Sequence, residues 1–201
     1  MKKIFERIYL DKVWYKGSGS GSLPSNTKKY RSFLRDYIKK NNIEKVIDIG
    51  CGDWGFSRLM DWSGMQYLGI DVVGFIIDEN KKRWESDNVK FRCADVRKIK
   101  LPKADLIIIK DVLQHWTSKE ILRFVKKIKR FPHILITNSF KGASQAMINQ
   151  DIKNGEARPL DLSAPPFNLK IKELLKYRSW RPARKIWETK KIVRLDIIRQ
   201  A

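Results

Sequence analysis

A chain of 201 residues, 42% of them hydrophobic, with a formal net charge of +21, is long enough for one well-buried domain and too short for two. The opening MKKIFERIYLDK breaks its apolar residues with charge and has no signal-peptide core, and no apolar run approaches the ~20 residues that span a bilayer, so the expectation is a cytoplasmic protein without a membrane span. Cys51 and Cys93 lack partners at metal spacing, which argues against a disulfide framework or a zinc cluster, and no metal ligand set is assigned. The charge points to nucleic acid or another anionic surface, yet the lysines are scattered from Lys2 to Lys191 without a long basic block, as a solubility-shaped surface would also show.

Residues 1–13 predict a short amphipathic helix, followed by VWYKGSGSGSLPSNT and a second amphipathic helix from about Ser25 to Asn41 with Phe33, Leu34, Tyr37 and Ile38 on one face. The alternating Gly and Ser of 17–22 read either as a flexible linker or as an ordered loop whose backbone N–H groups and hydroxyls meet a ligand. Apolar runs then recur at Val46–Ile49, Tyr67–Ile70, Val89–Cys93, Leu106–Ile109 and Ile134–Thr137. Helical stretches near Phe56–Asp61, Ile76–Glu85 and Lys119–Lys129 separate several of them, a βαβ rhythm that demands a parallel sheet. In the tail, KIWET and KIVRLDII are close enough to pair as an antiparallel hairpin. The prediction is a single α/β, Rossmann-like, seven-stranded domain, mostly parallel with a C-terminal antiparallel hairpin. Residues 1–42 supply N-terminal helices and a loop that closes over a ligand, and 43–201 the core, with an insertion at about 138–170.

Gly50-Cys51-Gly52-Asp53-Trp54-Gly55 satisfies the G-x-G-x-x-G fingerprint after an apolar strand. A pyrophosphate on that turn would face Asp48 and Asp53, and at an effective dielectric of about 20 each such pair about 4 Å apart costs roughly 4 kcal/mol. S-adenosylmethionine reverses the sign, because it carries a sulfonium and an ammonium and no phosphate. In open parallel sheets the ligand lies beyond the carboxyl ends of the strands. Asp48, Gly50 and Gly52 follow the first strand, and Asp71 ends the second, where an acid can take both ribose hydroxyls. In CADV after the third strand, Asp95 can accept from an adenine amino group and the Val96 N–H can donate to the ring. Three acids at three successive strand ends suit an adenosine ligand without phosphates.

These residues resemble a class I S-adenosylmethionine-dependent methyltransferase. More narrowly, Trp14 with GSGSGS, Thr27 with Arg31, CGDW, KDVLQH and NQDIKNGEARPLDLSAPPF, spanning about 14–170, are similar to a bacterial and giant-virus family of small glycan (sugar) O-methyltransferases. Departures from that pattern are Lys110 where Arg is usual, Tyr30 before Arg31, and Gly50 where Pro is common. The resemblance implies that the Gly-Ser loop and Arg31 close over the methionine end, with Arg31 a candidate for its carboxylate. Ser20, Cys51, Trp54, Val72, Lys110 and Gln114 complete the expected cofactor-binding set.

In-line methyl transfer to a hydroxyl needs an aligned acceptor and removal of its proton. In KDVLQHWT, Asp111 and His115 are four residues apart, which on a helical turn puts them on one side. His115, with an unperturbed pKa of about 6.5, is the expected general base and Asp111 its orienting partner; His133 reads as a surface residue. The Asn/Asp-Pro-Pro-aromatic motif of amino-methylating enzymes is absent after the fourth strand, which favours an oxygen acceptor. A Lys-Asp-Lys-Glu set could be drawn with Asp111 and Glu188, but so many lysines make that match nearly free. The insertion is the expected acceptor wall, with Asn138, Asp151, Arg158 and Asp161 as its polar residues, stiffened by Pro165, Pro166 and Phe167. Asp161 is counted with the catalytic group, although a divalent ion held by Asp111, His115 and Asp161 is argued against. Trp116, Trp54 or Trp180 would offer the flat apolar platforms that sugar C–H faces need. The expected partner is a glycan or oligosaccharide such as a terminal rhamnose. The alternatives are an RNA 2′-O-methyltransferase and a non-catalytic basic binding module; the oligomeric state stays open.

Overall fold

In LIIIK, Leu106–Lys110, all five residues are buried, as expected of a strand covered on both faces. In the computed structural model, which describes residues 1–14, 17–141, 147–182 and 185–196, this run is β4 at the centre of a seven-stranded sheet. The elements are α1 (Lys2–Leu10), α2 (Pro24–Lys40), β1 (Lys45–Ile49), β2 (Gln66–Asp71), α3 (Gly74–Trp84), β3 (Val89–Cys93), β4, α4 (Ser118–Ile128), β5 (His133–Lys141), β6 (Ile171–Arg181) and β7 (Ile186–Leu195). The strand order is β3-β2-β1-β4-β5-β7-β6. The first five run parallel, and β7 is antiparallel to both β5 and β6. The predicted Rossmann-like sheet is therefore present, with its C-terminal antiparallel hairpin.

Helices cover both faces for reasons visible in their sequences. In α2, Tyr30, Leu34 and Ile38 recur at four-residue spacing and pack in a cluster with Val46, Tyr67 and Leu106. In α4, Thr117 and Glu120 form a reciprocal capping box, and Ile121, Phe124, Val125 and Ile128 enter the opposite cluster with Ile107 and Ile109. On α1, Phe5 and Ile8 pack with Val73 above the carboxyl edge of the sheet.

Two expectations are corrected. Ile186–Thr189 of KIWET and Lys191–Leu195 of KIVRLDII belong to a single strand, β7, and its hairpin partner is β6, IKELLKYRSWR, while Ile197 and Ile198 lie outside the described residues. The β6 sequence shows no apolar run because its buried positions hold Tyr177 and Ser179 while Lys172, Glu173, Lys176 and Arg178 are exposed and a register shift between Glu173 and Leu175 interrupts the alternation. The helix expected near Phe56–Asp61 is a single 3₁₀ turn, Ser57–Leu59, in which the Trp62 indole donates to the Ser57 carbonyl (2.8 Å).

Candidate active site

The chain leaves β1 toward β2 on one side and returns at β4 on the other, which opens a crevice at the carboxyl ends of the strands. A cavity of about 370 Å³ lies there. Gly50, Gly52 and Asp71 form its floor, α1 and Trp14 roof it, and a strap, Ser18–Ser22, crosses it. Gly50 and Gly52 adopt positive φ (70° and 55°), and a Cβ on either would overlap the side chain of Val112 or Ser18. Only glycine lets a ligand approach this turn.

Asp71 lines the cavity with both carboxylate oxygens anchored: Oδ2 accepts from Gly52 N–H and Oδ1 from Val73 N–H, each at 3.0 Å. Burial pushes its pKa above the ordinary value despite those bonds. A carboxylate offers about four acceptor sites, so each oxygen keeps one for a ligand hydroxyl. Asp95 and Val96 also line the cavity. The Asp95 carboxylate, however, is forked by Arg97, with Nε at 2.8 Å and Nη2 at 2.6 Å, and that pairing holds its pKa below the usual range. Any adenine contact must share it.

At the end of β4 a chain of charges is buried. Lys110 Nζ donates to the Gly21 carbonyl (2.8 Å) and to Asp111 Oδ2 (2.6 Å). Lys190 Nζ, from β7, donates to Asp111 Oδ1 (2.6 Å) and Ser139 Oγ (2.9 Å) and lies 3.1 Å from Glu188 Oε2, which also meets Arg181 Nε at 3.1 Å. Burial alone would raise the Asp111 pKa; the two lysines more than reverse it and hold the carboxyl well below the usual range. Burial opposes charge on Lys190, but Asp111 and Glu188 hold its pKa above that of an ordinary lysine.

Asp111 is therefore committed to lysines and does not orient His115. The His115 Nδ1–H donates to the Glu156 carbonyl (2.8 Å). A carbonyl only accepts, so the proton sits on Nδ1 and Nε2 keeps its lone pair. The ring packs against Trp14 (centroids 5.3 Å apart) and edge-on to Phe5 (6.1 Å). Burial lowers its pKa to about 4, so the ring is neutral at physiological pH. Gln114 Oε1 accepts from Ser139 N–H (3.0 Å), which leaves the Gln114 amide nitrogen 3.5 Å from His115 Nε2.

Ser20, Gly50, Gly52, Asp71, Val72, Asp95, Val96, Lys110, Asp111, Gln114, His115 and Trp116 all line the cavity, as placed from sequence; several other expected residues lie elsewhere. Arg31 folds back along α2 to donate to the Pro24 carbonyl (3.1 Å), because the helix phase that buries Tyr30 and Leu34 turns it away from the cavity. Trp54 is buried among Tyr67, Phe91 and Trp84, and Cys51 belongs to the same core cluster. Asp48 lies beneath the turn, accepting from Tyr67 (2.7 Å) and Ser57 (3.1 Å), with its pKa pushed by burial up to about 6. In the insertion, Asp151 caps α4 through Ser118 N–H (2.8 Å), and Arg158 donates to the Trp116 carbonyl (2.7 Å). Asp161 binds Ser163, and Asn138 is buried in β5. None of these four reaches the cavity lining: Asp151, Arg158 and Asp161 fasten the insertion, while the Asn138 side-chain oxygen is buried without a hydrogen-bond partner. Among the described residues no group of three or more His, Cys, Asp or Glu side chains could hold a metal ion. The cavity instead draws on residues that sequence reasoning gave no role: Phe5, Tyr9, Arg181 and Lys190, with Trp14 signalled only by its motif.

Residues 46–132 match the family described as a methyltransferase domain. The fold is that of the S-adenosylmethionine-dependent methyltransferases. The N-methyltransferase NodS of Bradyrhizobium japonicum, solved with S-adenosylhomocysteine, superposes with a TM-score of 0.61 at 13% identity over 86% of this chain and 88% of its own. The 1,6-didemethyltoxoflavin-N1-methyltransferase of Burkholderia thailandensis, with bound 1,6-didemethyltoxoflavin and S-adenosylhomocysteine, gives a TM-score of 0.66 at 15% identity over 96% of this chain and 86% of its own. Malonyl-[acyl-carrier protein] O-methyltransferase of Acetivibrio thermocellus is 28% identical over 78 residues, 37% of this chain and 27% of that protein, so the chain matches about a quarter of that relative's length. S-adenosylmethionine is the methyl donor of such domains. The glycine turn and the anchored Asp71 carboxylate suit its adenosine half. Among the described residues, no helix is long and apolar enough to cross a membrane.

Proposed function

We propose that the protein transfers a methyl group from S-adenosylmethionine to a sugar hydroxyl of a glycan, with His115 as the general base. The observation that carries this reading is the neutral His115 ring, its Nδ1–H fixed on Glu156 and its Nε2 lone pair beside the Gln114 amide in the cavity wall. The cofactor supplies an electrophilic methyl group. Nε2 would take the hydroxyl proton as the methyl passes from the sulfonium sulfur, which leaves as the thioether, to the hydroxyl oxygen, and the Gln114 amide is placed to donate to the acceptor oxygen. Trp14, Phe5 and Trp116 line the same cavity and supply flat apolar surface for the C–H faces of a sugar ring. The resemblance to small glycan O-methyltransferases supports the same class, with a terminal deoxyhexose such as rhamnose as the leading acceptor.

A second reading, methylation of an RNA ribose, has one observation in its favour: Lys110, Asp111, Lys190 and Glu188 do converge. Lys190 is a poor base in that arrangement, whereas burial lowers the pKa of Lys110. Asp111, Glu188 and Ser139 already engage Lys190 Nζ, and the two carboxylates favour its charged form. Labelled cofactor offered to a panel of synthetic glycosides and RNA oligonucleotides separates the two. Label in a rhamnoside supports the proposal, and label in RNA alone replaces it. Calorimetry showing no affinity for S-adenosylmethionine or S-adenosylhomocysteine would reduce the protein to a basic binding module.

A further inference from the structure

Alternate residues of a strand face opposite sides of a sheet. In the β6–β7 hairpin, Tyr177, Ser179, Glu188 and Lys190 are buried on one side. On the other side the register pairs Trp180 with Trp187 and Lys176 with Lys191. Trp187 is 54% exposed, an unusual position for so large an apolar surface. Its ring lies 5.3 Å from that of Trp180, and the Arg178 guanidinium sits over it at 4.9 Å. One strand further in, Lys191 Nζ lies 3.4 Å and Lys176 Nζ 5.9 Å from the centre of the Phe140 ring. Glu173 pairs with both lysines (3.1 and 3.3 Å) and offsets part of their charge. Aromatic rings interleaved with cations form the surface on which unstacked bases lie while phosphates meet lysine and arginine. The net charge of +21 adds a general attraction for a phosphate backbone.

We propose that this outer face of β6–β7 binds single-stranded nucleic acid, with Trp187 as the stacking residue and Arg178 as a phosphate contact. The face stands apart from the cavity, although β6 ends at Arg181, which lines it, so a strand lying along the hairpin leads to the cavity mouth. Binding here is independent of the methyl-transfer reading and is measured without cofactor.

The test is fluorescence anisotropy with a labelled oligouridylate, competed by inorganic polyphosphate or by polygalacturonate. Trp187→Ala should weaken oligouridylate binding by about tenfold, the range for one lost base stack, with Trp187→Phe restoring most of it and polyphosphate binding unchanged. Arg178→Gln should reduce the slope of log affinity against log salt by about one. Oligouridylate binding that is unaltered in Trp187→Ala overturns the proposal, as does equal weakening of polyphosphate and oligouridylate. If polygalacturonate binds more tightly than oligouridylate and is the ligand lost in Trp187→Ala, the face takes an acidic glycan and the nucleic-acid proposal falls.

Discussion

Two buried groups, His115 and Asp48, respond to pH in opposite senses. Burial lowers the His115 pKa to about 4, so between that value and its unfolded value of about 6.5 the unfolded chain binds more protons and stability falls as pH falls. Asp48 is raised to about 6; here the folded state binds the extra proton, and the contribution present below about 3.9 is lost as pH rises through 6. Asp48→Asn keeps an acceptor oxygen for Tyr67 and Ser57. It should stabilise the protein at about pH 8 by about 1–3 kcal/mol while changing little at about pH 4, as read by urea unfolding. With His115 as base, the rate should be flat above about pH 5 and fall as the ring protonates near pH 4, rather than turning at the imidazole's unperturbed value. His115→Ala should lower turnover by roughly 10²–10⁴-fold with cofactor affinity nearly intact; full activity would remove the assignment. Asp71→Ala should weaken S-adenosylhomocysteine binding by about 1.5–3 kcal/mol in calorimetry.

Among the local elements, the strap carries the clearest consequence. Ser18 Oγ donates to Asp53 Oδ1 (2.8 Å) and accepts from Asp53 N–H (2.8 Å), while Tyr9 Oη lies 2.7 Å from the same hydroxyl. Further on, Asn26 donates to the Ser20 carbonyl (2.7 Å) and Lys110 to that of Gly21 (2.8 Å). The strap is thus tied to the glycine turn, to α2 and to β4, an ordered loop rather than a free linker. A Cβ on Gly21 would come within 2.6 Å of Asp111 Oδ2. Gly21→Ala should therefore lift the strap from Lys110 and weaken cofactor binding by about 1–3 kcal/mol, the usual cost of overpacking. The control is thermal unfolding of the free protein, which should move less than the binding midpoint.

Across the whole molecule, Lys190 joins β7 to Asp111, 79 residues earlier in the chain, across the intervening β5. Removing Lys190 takes one of two cations from each of Asp111 and Glu188, which keep Lys110 and Arg181. Lys190→Met should cost about 1.5–3 kcal/mol in urea unfolding, the range for a lost hydrogen bond to a charged group. Adding Asp111→Asn also takes the carboxylate from Lys110, but the two substitutions share the Lys190–Asp111 bond, so the double variant should lose less than the sum of the two single losses; strict additivity of the two losses would show that the chain of charges is not a unit.

Local pattern determined much of this architecture. Leu106–Ile109 announced a buried parallel strand because a strand covered on both faces is predominantly apolar, and Val46–Ile49 did so despite Asp48, whose burial is compensated by hydrogen bonds from Tyr67 and Ser57. Asp71 and the glycine turn were legible as a cofactor edge because strand ends in such sheets open onto the ligand crevice. The hairpin partner β6 was not legible, since charged Lys172, Glu173, Lys176, Arg178 and Arg181 interrupt it and a register shift between Glu173 and Leu175 breaks its alternation. Nor were the roles of Arg31, Trp54 and Asp161, because residue type and spacing specify what a side chain can do without saying which way its element is turned. Tertiary structure decided that His115 answers to Glu156, that Asp111 answers to Lys110 and Lys190, and that α1 brings Phe5 and Tyr9 over the cavity. Those contacts join segments far apart in the chain, and packing alone chooses which of many chemically eligible partners meet and how far their burial shifts a proton.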